Sequence, residues 1–184
     1  MQNVTENKKE KKFVSIVVYL HNIEAYLKFF LDNVLPVFER NFEQFEMICV
    51  NDACQDNTIE VLRNYLEKKQ IGAMVNVVHM SFFQGLESAM NAGRDVAIGD
   101  FVYEFDDIFV DYEPELIMEI YRELLAGNDI VAASSKGKVR ITSRFFYFLY
   151  NNKGLSEVSL PNLQQVGDYF LYNNTYIFVF KFLY

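Results

Sequence analysis

Tryptophan is absent from this chain of 184 residues, proline occurs three times, and cysteine and histidine twice each. Cys49 lies in an apolar run and Cys54 in the loop after it, a pair that suggests reduced thiols rather than a disulfide framework and points to the cytoplasm. Basic residues are also in short supply. Against 25 Asp and Glu stand 17 Lys and Arg, and the net charge of −8 leaves no domain-wide positive field for nucleic-acid phosphates. No stretch reaches the ~18 to 20 apolar residues of a membrane-spanning helix; the nearest, TYIFVFKFLY at the end, is about half that length. That stretch reads either as a terminal strand or as a lipid-contacting segment. Residues 1–12 are polar and rich in Lys and Glu, without the apolar core of a secretory signal, and are expected to form a disordered lead-in.

What the chain does have is apolar surface, enough for one domain over residues 13–184 to bury a core of its own. The 18 Phe and 12 Tyr fall heavily after residue 140, which predicts contact with a partner, a membrane surface or a second copy in a homo-oligomer. Buried-strand patterns at Phe13 to Tyr19, Phe45 to Val50, Ala73 to Met80, Phe101 to Phe105 and Ile130 to Ala133 alternate with helical patterns. The helices are predicted over Asn22 to Arg40, Asn57 to Lys69, Gln84 to Ala97 and Glu113 to Ala126. Such alternation predicts an α/β fold with a mostly parallel central sheet flanked by helices. Ligands in these folds sit beyond the carboxyl ends of the strands.

Polar residues gather at those ends. His21, Asn22 and Glu24 follow the first strand, Asn51, Asp52 and Asp56 the second, and Ser81 and Gln84 the third. Asp56 and Asn22 also suit helix capping. Asp52, immediately beyond an apolar strand and well ahead of the next helix, is less easily explained that way. The fourth strand runs straight into acids: DFVYEFDDI spans Asp100 to Ile108 and carries Glu104, Asp106 and Asp107. Alternation puts Glu104 and Asp106 on one side of the strand. Clustered carboxylates repel unless solvent or a hard cation neutralises them, and oxygen ligands of this kind suit magnesium or manganese.

Four segments in order, VSIVVYLHNIEAYL, ICVNDACQDNTIEVL, QGLESAMNAGRDVAIGDFVYEFDD and PELI, resemble the successive signatures of family 2 inverting glycosyltransferases. The resemblance implies a GT-A fold (the nucleotide-diphospho-sugar transferase fold), with residues 13–110 as the nucleotide-sugar-binding half and 111–184 as an acceptor half that is C-terminally truncated. By position it implies that Tyr19, Leu20, His21 and Glu24 line the nucleoside pocket, that Asp52 accepts a hydrogen bond from the base, and that Gln84 and Gly85 form the turn beside the nucleotide. Lacking a Cβ, Gly85 could let the backbone approach the ligand closely. Glu104 and Asp106 take the place of the family's DxD motif, with Asp107 in reserve, and would hold Mg2+ or Mn2+ against the donor diphosphate. The chain has Tyr19, His21, Asn51, Cys54 and Glu104 where proline, tyrosine, aspartate, serine and aspartate are usual.

In the last third, SSKGKVRITSRFFYFLYNN resembles the acceptor segment of polyprenyl-phosphate glycosyltransferases. It implies that Arg140 and Ser143 bind an acceptor phosphate, with Arg144 beside them and Phe146 and Tyr147 packed beneath. The alternative is a solvated basic helix face over an aromatic core. VGDYFLYNN resembles the family's aspartate followed by an aromatic, without the arginine often found next, and the resemblance implies Asp168 as the candidate catalytic base. The implied activity is transfer of a sugar from a nucleotide-sugar donor, with inversion, to a lipid phosphate or growing glycan, in the cytoplasm at the inner face of the membrane. Two rivals are a non-catalytic nucleotide-sugar-binding or assembly subunit and a nucleotidyltransferase. The second would carry a Gly-rich basic loop after its first strand, and YLHNIEAYL has none.

Overall fold

A computed structural model describes residues 8–106, 108–110, 112–128 and 130–133, and the strand segments 159–160, 163–166, 169–171 and 177–181. Strands β1 (Val14–Leu20), β2 (Phe45–Asn51), β3 (Val75–His79) and β4 (Phe101–Phe105) are all parallel, in the order β3-β2-β1-β4. Their side chains show why. β4 is buried along its whole length, β1 except at Tyr19 and β2 except at Asn51, as strands covered on both faces must be, whereas β3 at the edge is mixed.

The two sheet faces carry different loads. Val14, Ile16, Val18 and Leu20 of β1 point into one core with Phe101, Tyr103 and Phe105 of β4. Helix α1 (Glu24–Asn41) fills that core with Leu27, Phe30, Leu31, Val34, Leu35, Val37 and Phe38. Edge-on ring pairs fasten it to β4, Phe30 to Phe105 at 5.2 Å and Phe38 to Tyr103 at 5.0 Å between centroids. Helices α2 (Thr58–Lys69) and α4 (Leu116–Leu125) bury Leu62 and Tyr65, and Ile117, Ile120, Tyr121 and Leu124, in the same core. Helix α3 (Leu86–Val96) lies on the opposite face, where Ala89 and Met90 meet Val17, Ile48, Val50 and Val102.

The remaining strands join beyond β4. β5 (Ile130–Ala133), β6 (Ser159–Leu160), β7 (Leu163–Val166), β8 (Tyr169–Leu171) and β9 (Ile177–Lys181) complete, among the described residues, the order β3-β2-β1-β4-β9-β5-β8-β7-β6. β9 runs antiparallel between β4 and β5, so the parallel part of the expected mostly parallel sheet is its first four strands, and the strands beyond β4 pair in both senses. Within the terminal apolar stretch, Ile177–Lys181 is therefore a strand, with its backbone paired on both edges. No helix among the described residues is long and apolar enough to cross a membrane.

Gly93 interrupts the helical pattern of α3 for a packing reason. A Cβ there would stand 2.4 Å from Val17 Cγ1 and 2.7 Å from Val50 Cγ2, so its absence lets the helix lie against β1 and β2. Gly93→Ala is expected to destabilise the fold by about 1–3 kcal/mol through overpacking. Urea denaturation checks this, and an unchanged midpoint would contradict the packing account.

Candidate functional site

The carboxyl ends of β1, β2 and β3 are level, since Leu20 pairs with Asn51 and Asn51 with His79. β4 ends lower, with Phe105 opposite Val18, so Asp106 is set back below the rim of the other three. Each loop then carries polar groups to the same edge.

Asp52 joins them. Its side chain is fully buried, and its carboxylate accepts hydrogen bonds from the backbone N–H of Gln84 at 2.7 Å, the N–H of Gly85 at 2.9 Å and the Tyr19 hydroxyl at 3.0 Å. Gly85 is the N-cap of α3, so the negative charge also faces the positive end of that helix. The Asp52 backbone binds in the same direction: its N–H donates to Leu20 O at 3.0 Å, and its carbonyl accepts from His21 Nδ1 at 2.7 Å. A carbonyl can only accept, which assigns the hydrogen to Nδ1 of His21. The base contact expected of Asp52 is thus not what this geometry offers, because its oxygens are turned inward onto protein donors. Tyr19 shares the effect: burial, then the hydrogen bond to Asp52, push its hydroxyl pKa well above the usual tyrosine range.

The first two loops are stitched by short polar side chains. Asn22, at φ 53°, does not cap α1; its Oδ1 accepts from the N–H of Gln55 at 2.7 Å, across the loop boundary. The Cys54 thiol donates to Leu20 O at 3.3 Å and accepts from the Asn22 N–H at 3.4 Å, the two tasks a serine hydroxyl would perform. Glu24 Oε2 accepts from the Asn57 N–H at 2.8 Å, and Asp56 Oδ2 from the Glu24 N–H at 3.1 Å. Asp56 also caps, accepting from the N–H of Thr58 at 3.0 Å. Leu20, expected in the nucleoside pocket, has its side chain wholly in the core and offers the rim only its backbone. Gly85 has φ 84° with open space where a Cβ would stand, so the glycine answers to backbone conformation rather than to crowding.

His21 and Phe83 form an aromatic corner that sequence reasoning identified only in part, with Phe82 preceding Phe83 in the chain. The rings of His21 and Phe83 lie 4.6 Å apart, and Phe82 and Phe83 are exposed. Gln84 is exposed beside them and Gly85 partly so.

The acidic strand end departs from expectation. Glu104 faces α3 and is buried, and its oxygens accept from Arg94 Nε at 2.5 Å and Nη2 at 3.2 Å. Burial pushes the Glu104 carboxyl up, with Arg94 pulling the other way, while Glu104 holds Arg94 more firmly protonated. A carboxylate so enclosed and already forked onto a guanidinium does not fit a metal ligand, which corrects the pairing of Glu104 with Asp106. Asp106, half-buried at the strand end, fits as an oxygen donor. Among the described residues no cluster of three or more His, Cys, Asp or Glu is arranged for a metal ion. Asp107, Arg140, Ser143 and Asp168 lie outside the described residues. Arg94 was missed in the sequence, although a glutamate inside an apolar strand is itself a signal that a buried cation is near.

Removing the Asp52 carboxylate takes the acceptor from two part-buried amides and a hydroxyl. Asp52→Ala is expected to cost about 1–3 kcal/mol, the scale of a lost hydrogen-bonded charge whose donors water can partly reach. The local check is hydrogen exchange at the Gln84 and Gly85 amides, which should lose protection; retained protection would show that Asp52 does not hold the α3 loop.

Residues 15–176 match the family model for glycosyl transferase family 2. A Synechocystis glycosyltransferase, sll0501, is 30% identical over 162 residues, which cover 85% of this chain and 48% of its own. A bactoprenol glucosyl transferase of Shigella phage SfV is 30% identical over 167 residues, 85% of this chain and 50% of its own. The mannosyltransferase PcManGT of Pyrobaculum calidifontis, solved with GDP-Man and Mn2+, superposes with a TM-score of 0.63 at 16% identity, over 97% of this chain and 47% of that one. At that identity the likeness speaks for the GT-A fold alone. The chain spans about half the length of the curated relatives it matches. With the family model covering nearly the whole chain and the sheet carrying its polar loops at one edge, this protein belongs to glycosyl transferase family 2.

Proposed function

We propose that this chain binds a nucleotide-sugar at the carboxyl edge of β1 to β4 and transfers the sugar, with inversion, to a lipid phosphate. The observation that carries the reading is the set of strand-end loops tied together by Asp52, in a chain of this family. The nucleoside would lie against His21, Phe83 and the Gln84-Gly85 turn, where an exposed aromatic corner adjoins polar loops. Asp52 keeps that pocket assembled rather than touching the base. Tyr19 and Glu24 serve the same end, one bonded to Asp52 and the other bridging to Asn57.

Asp106, with Asp107 after it, would hold the divalent cation, Mg2+ or Mn2+. Such a cation neutralises charge that builds on the departing diphosphate. Glu104 takes no part as a ligand. Its work is to anchor Arg94.

The lipid-phosphate acceptor draws support from the bactoprenol glucosyl transferase among the relatives. Arg140 and Ser143 would bind that phosphate, a planar guanidinium being well suited to a phosphate's oxygens. Asp168 stands as the candidate base for an acceptor that must lose a proton; an ionised lipid phosphate needs none. Action on such a lipid implies work at the inner face of the membrane, in cell-envelope glycan synthesis. A second reading, a nucleotide-sugar-binding subunit without turnover, is favoured by the Arg94 pairing that removes one of two expected metal carboxylates.

The test supplies the chain with radiolabelled nucleotide-sugars and polyprenyl phosphate in detergent micelles, with Mn2+. Transfer from one donor is expected, and Asp106→Asn should reduce it by on the order of a hundredfold, the scale of losing one electrostatic contact to a transition state. Binding of a nucleotide-sugar without transfer would favour the binding-only reading. If no donor binds and Asp106→Asn changes nothing, the proposed activity is wrong.

A further inference from the structure

Both histidines of the chain stand at the carboxyl edge of the sheet, and each grips one of two consecutive residues at the end of β2. His21 donates to the Asp52 carbonyl, while the His79 ring meets the Asn51 side chain, Nδ1 to Nδ2 at 2.9 Å. A neighbouring bond decides the direction of the second contact. Asn51 Oδ1 accepts from the N–H of Cys54 at 2.9 Å, so the amide turns its oxygen to the loop after β2 and its nitrogen to the imidazole. That nitrogen can only donate. His79 Nδ1 must therefore accept, and the hydrogen of the neutral ring sits on Nε2.

The polar side chains around it are already spent. Asp52 accepts from Gln84, Gly85 and Tyr19, Asn51 is bonded at both ends of its amide, and His21 uses Nδ1 on Asp52 and Nε2 on Asn22 Nδ2 at 3.3 Å. His79 is exposed at the last position of β3, level with Asn51 and Leu20, and its Nε2 hydrogen meets no acceptor among the described residues. Neighbouring strands lie about 4.8 Å apart, which sets β3 about 10 Å from β1. A base that rests against His21 and reaches over the end of β2 brings its outer edge to His79.

We infer that His79 is a specificity-determining residue whose fixed Nε2–H reads a carbonyl oxygen on the base of the nucleotide-sugar, and that Asn51 is the residue that positions it. The inference rests on the nucleotide-sugar reading of the site and deepens it by naming the class of base. That class carries a keto group at the outer edge, as uracil and guanine do, in place of the amino group of cytosine and adenine. A keto oxygen gives the imidazole hydrogen its acceptor. An amino group in the same place sets hydrogen against hydrogen and leaves the N–H unpaired.

The experiment is calorimetric titration of the whole chain, with Mn2+ present, comparing UDP with CDP and IDP with ADP. Within each pair the base changes from keto to amino at constant ring size. In the pair that binds, the keto member should be tighter by about fivefold, the scale of one hydrogen bond gained or lost. His79→Phe keeps a flat ring but has no N–H, and should bring the two affinities to within about twofold of each other. Circular dichroism verifies its fold, and His79→Ala replaces it if the phenyl ring is not tolerated. Asn51→Leu frees His79 to take either tautomer and should about halve the keto preference. A general loosening of the loops would weaken both members of a pair alike, so a merely structural His79 would leave their ratio unchanged. Nitrogen NMR of the imidazoles should also find the His79 hydrogen on Nε2. The inference is overturned by a hydrogen on Nδ1, by equal binding within each pair, or by a keto preference that survives loss of the imidazole. Absence of binding by all four nucleotides would instead remove the nucleotide-sugar reading, and the role of His79 with it.

Discussion

Everything at the rim depends on a buried negative charge. Asp52 lies at the end of a strand enclosed on both faces, where a carboxylate is tolerable only if donors surround it. The donors come from β1, through the Tyr19 hydroxyl, and from the α3 entry, through two backbone amides. Satisfying one charge therefore fixes three chain segments relative to one another. The loops that would otherwise be the most mobile part of a parallel α/β sheet are held as a single polar surface.

A second buried carboxylate solves the same problem with a side chain. Glu104 is reached by Arg94 from α3, while Asp52 is reached by the first amides of that helix. α3 thus supplies the counter-charge for both, from its amino end and from its third turn. Gly93 makes the approach close enough, because the valines of β1 and β2 occupy the space its side chain would need. The small-residue pattern of this helix and the buried acids of the sheet are two sides of one packing arrangement.

The order and number of the first five strands and four helices were legible from apolar periodicity, which survives in any context because it records which faces are hidden. Their boundaries moved by no more than two residues, except that α4 starts three residues later than its pattern, after the turn at Pro114. β9 was only half legible: its apolar run read equally as a strand or as a lipid contact, since a strand inserted between two others leaves no local mark of its neighbours. The candidate site divided along the same line. Which residues stand at strand ends could be read directly; which way they point could not. Leu20 turned into the core, Asp52 inward to amides, and Glu104 to an arginine ten residues away.

By itself the sequence determined the family, the alternation of strand and helix, and the gathering of Asp52, Asp106 and their neighbours at one edge. These follow from local rules, in which each residue needs only its neighbours along the chain. Tertiary structure alone decided the use of each charge, because the cost of a buried carboxylate is settled by whichever donors the fold carries to it. It made Asp52 a brace between loops and Glu104 the buried partner of Arg94.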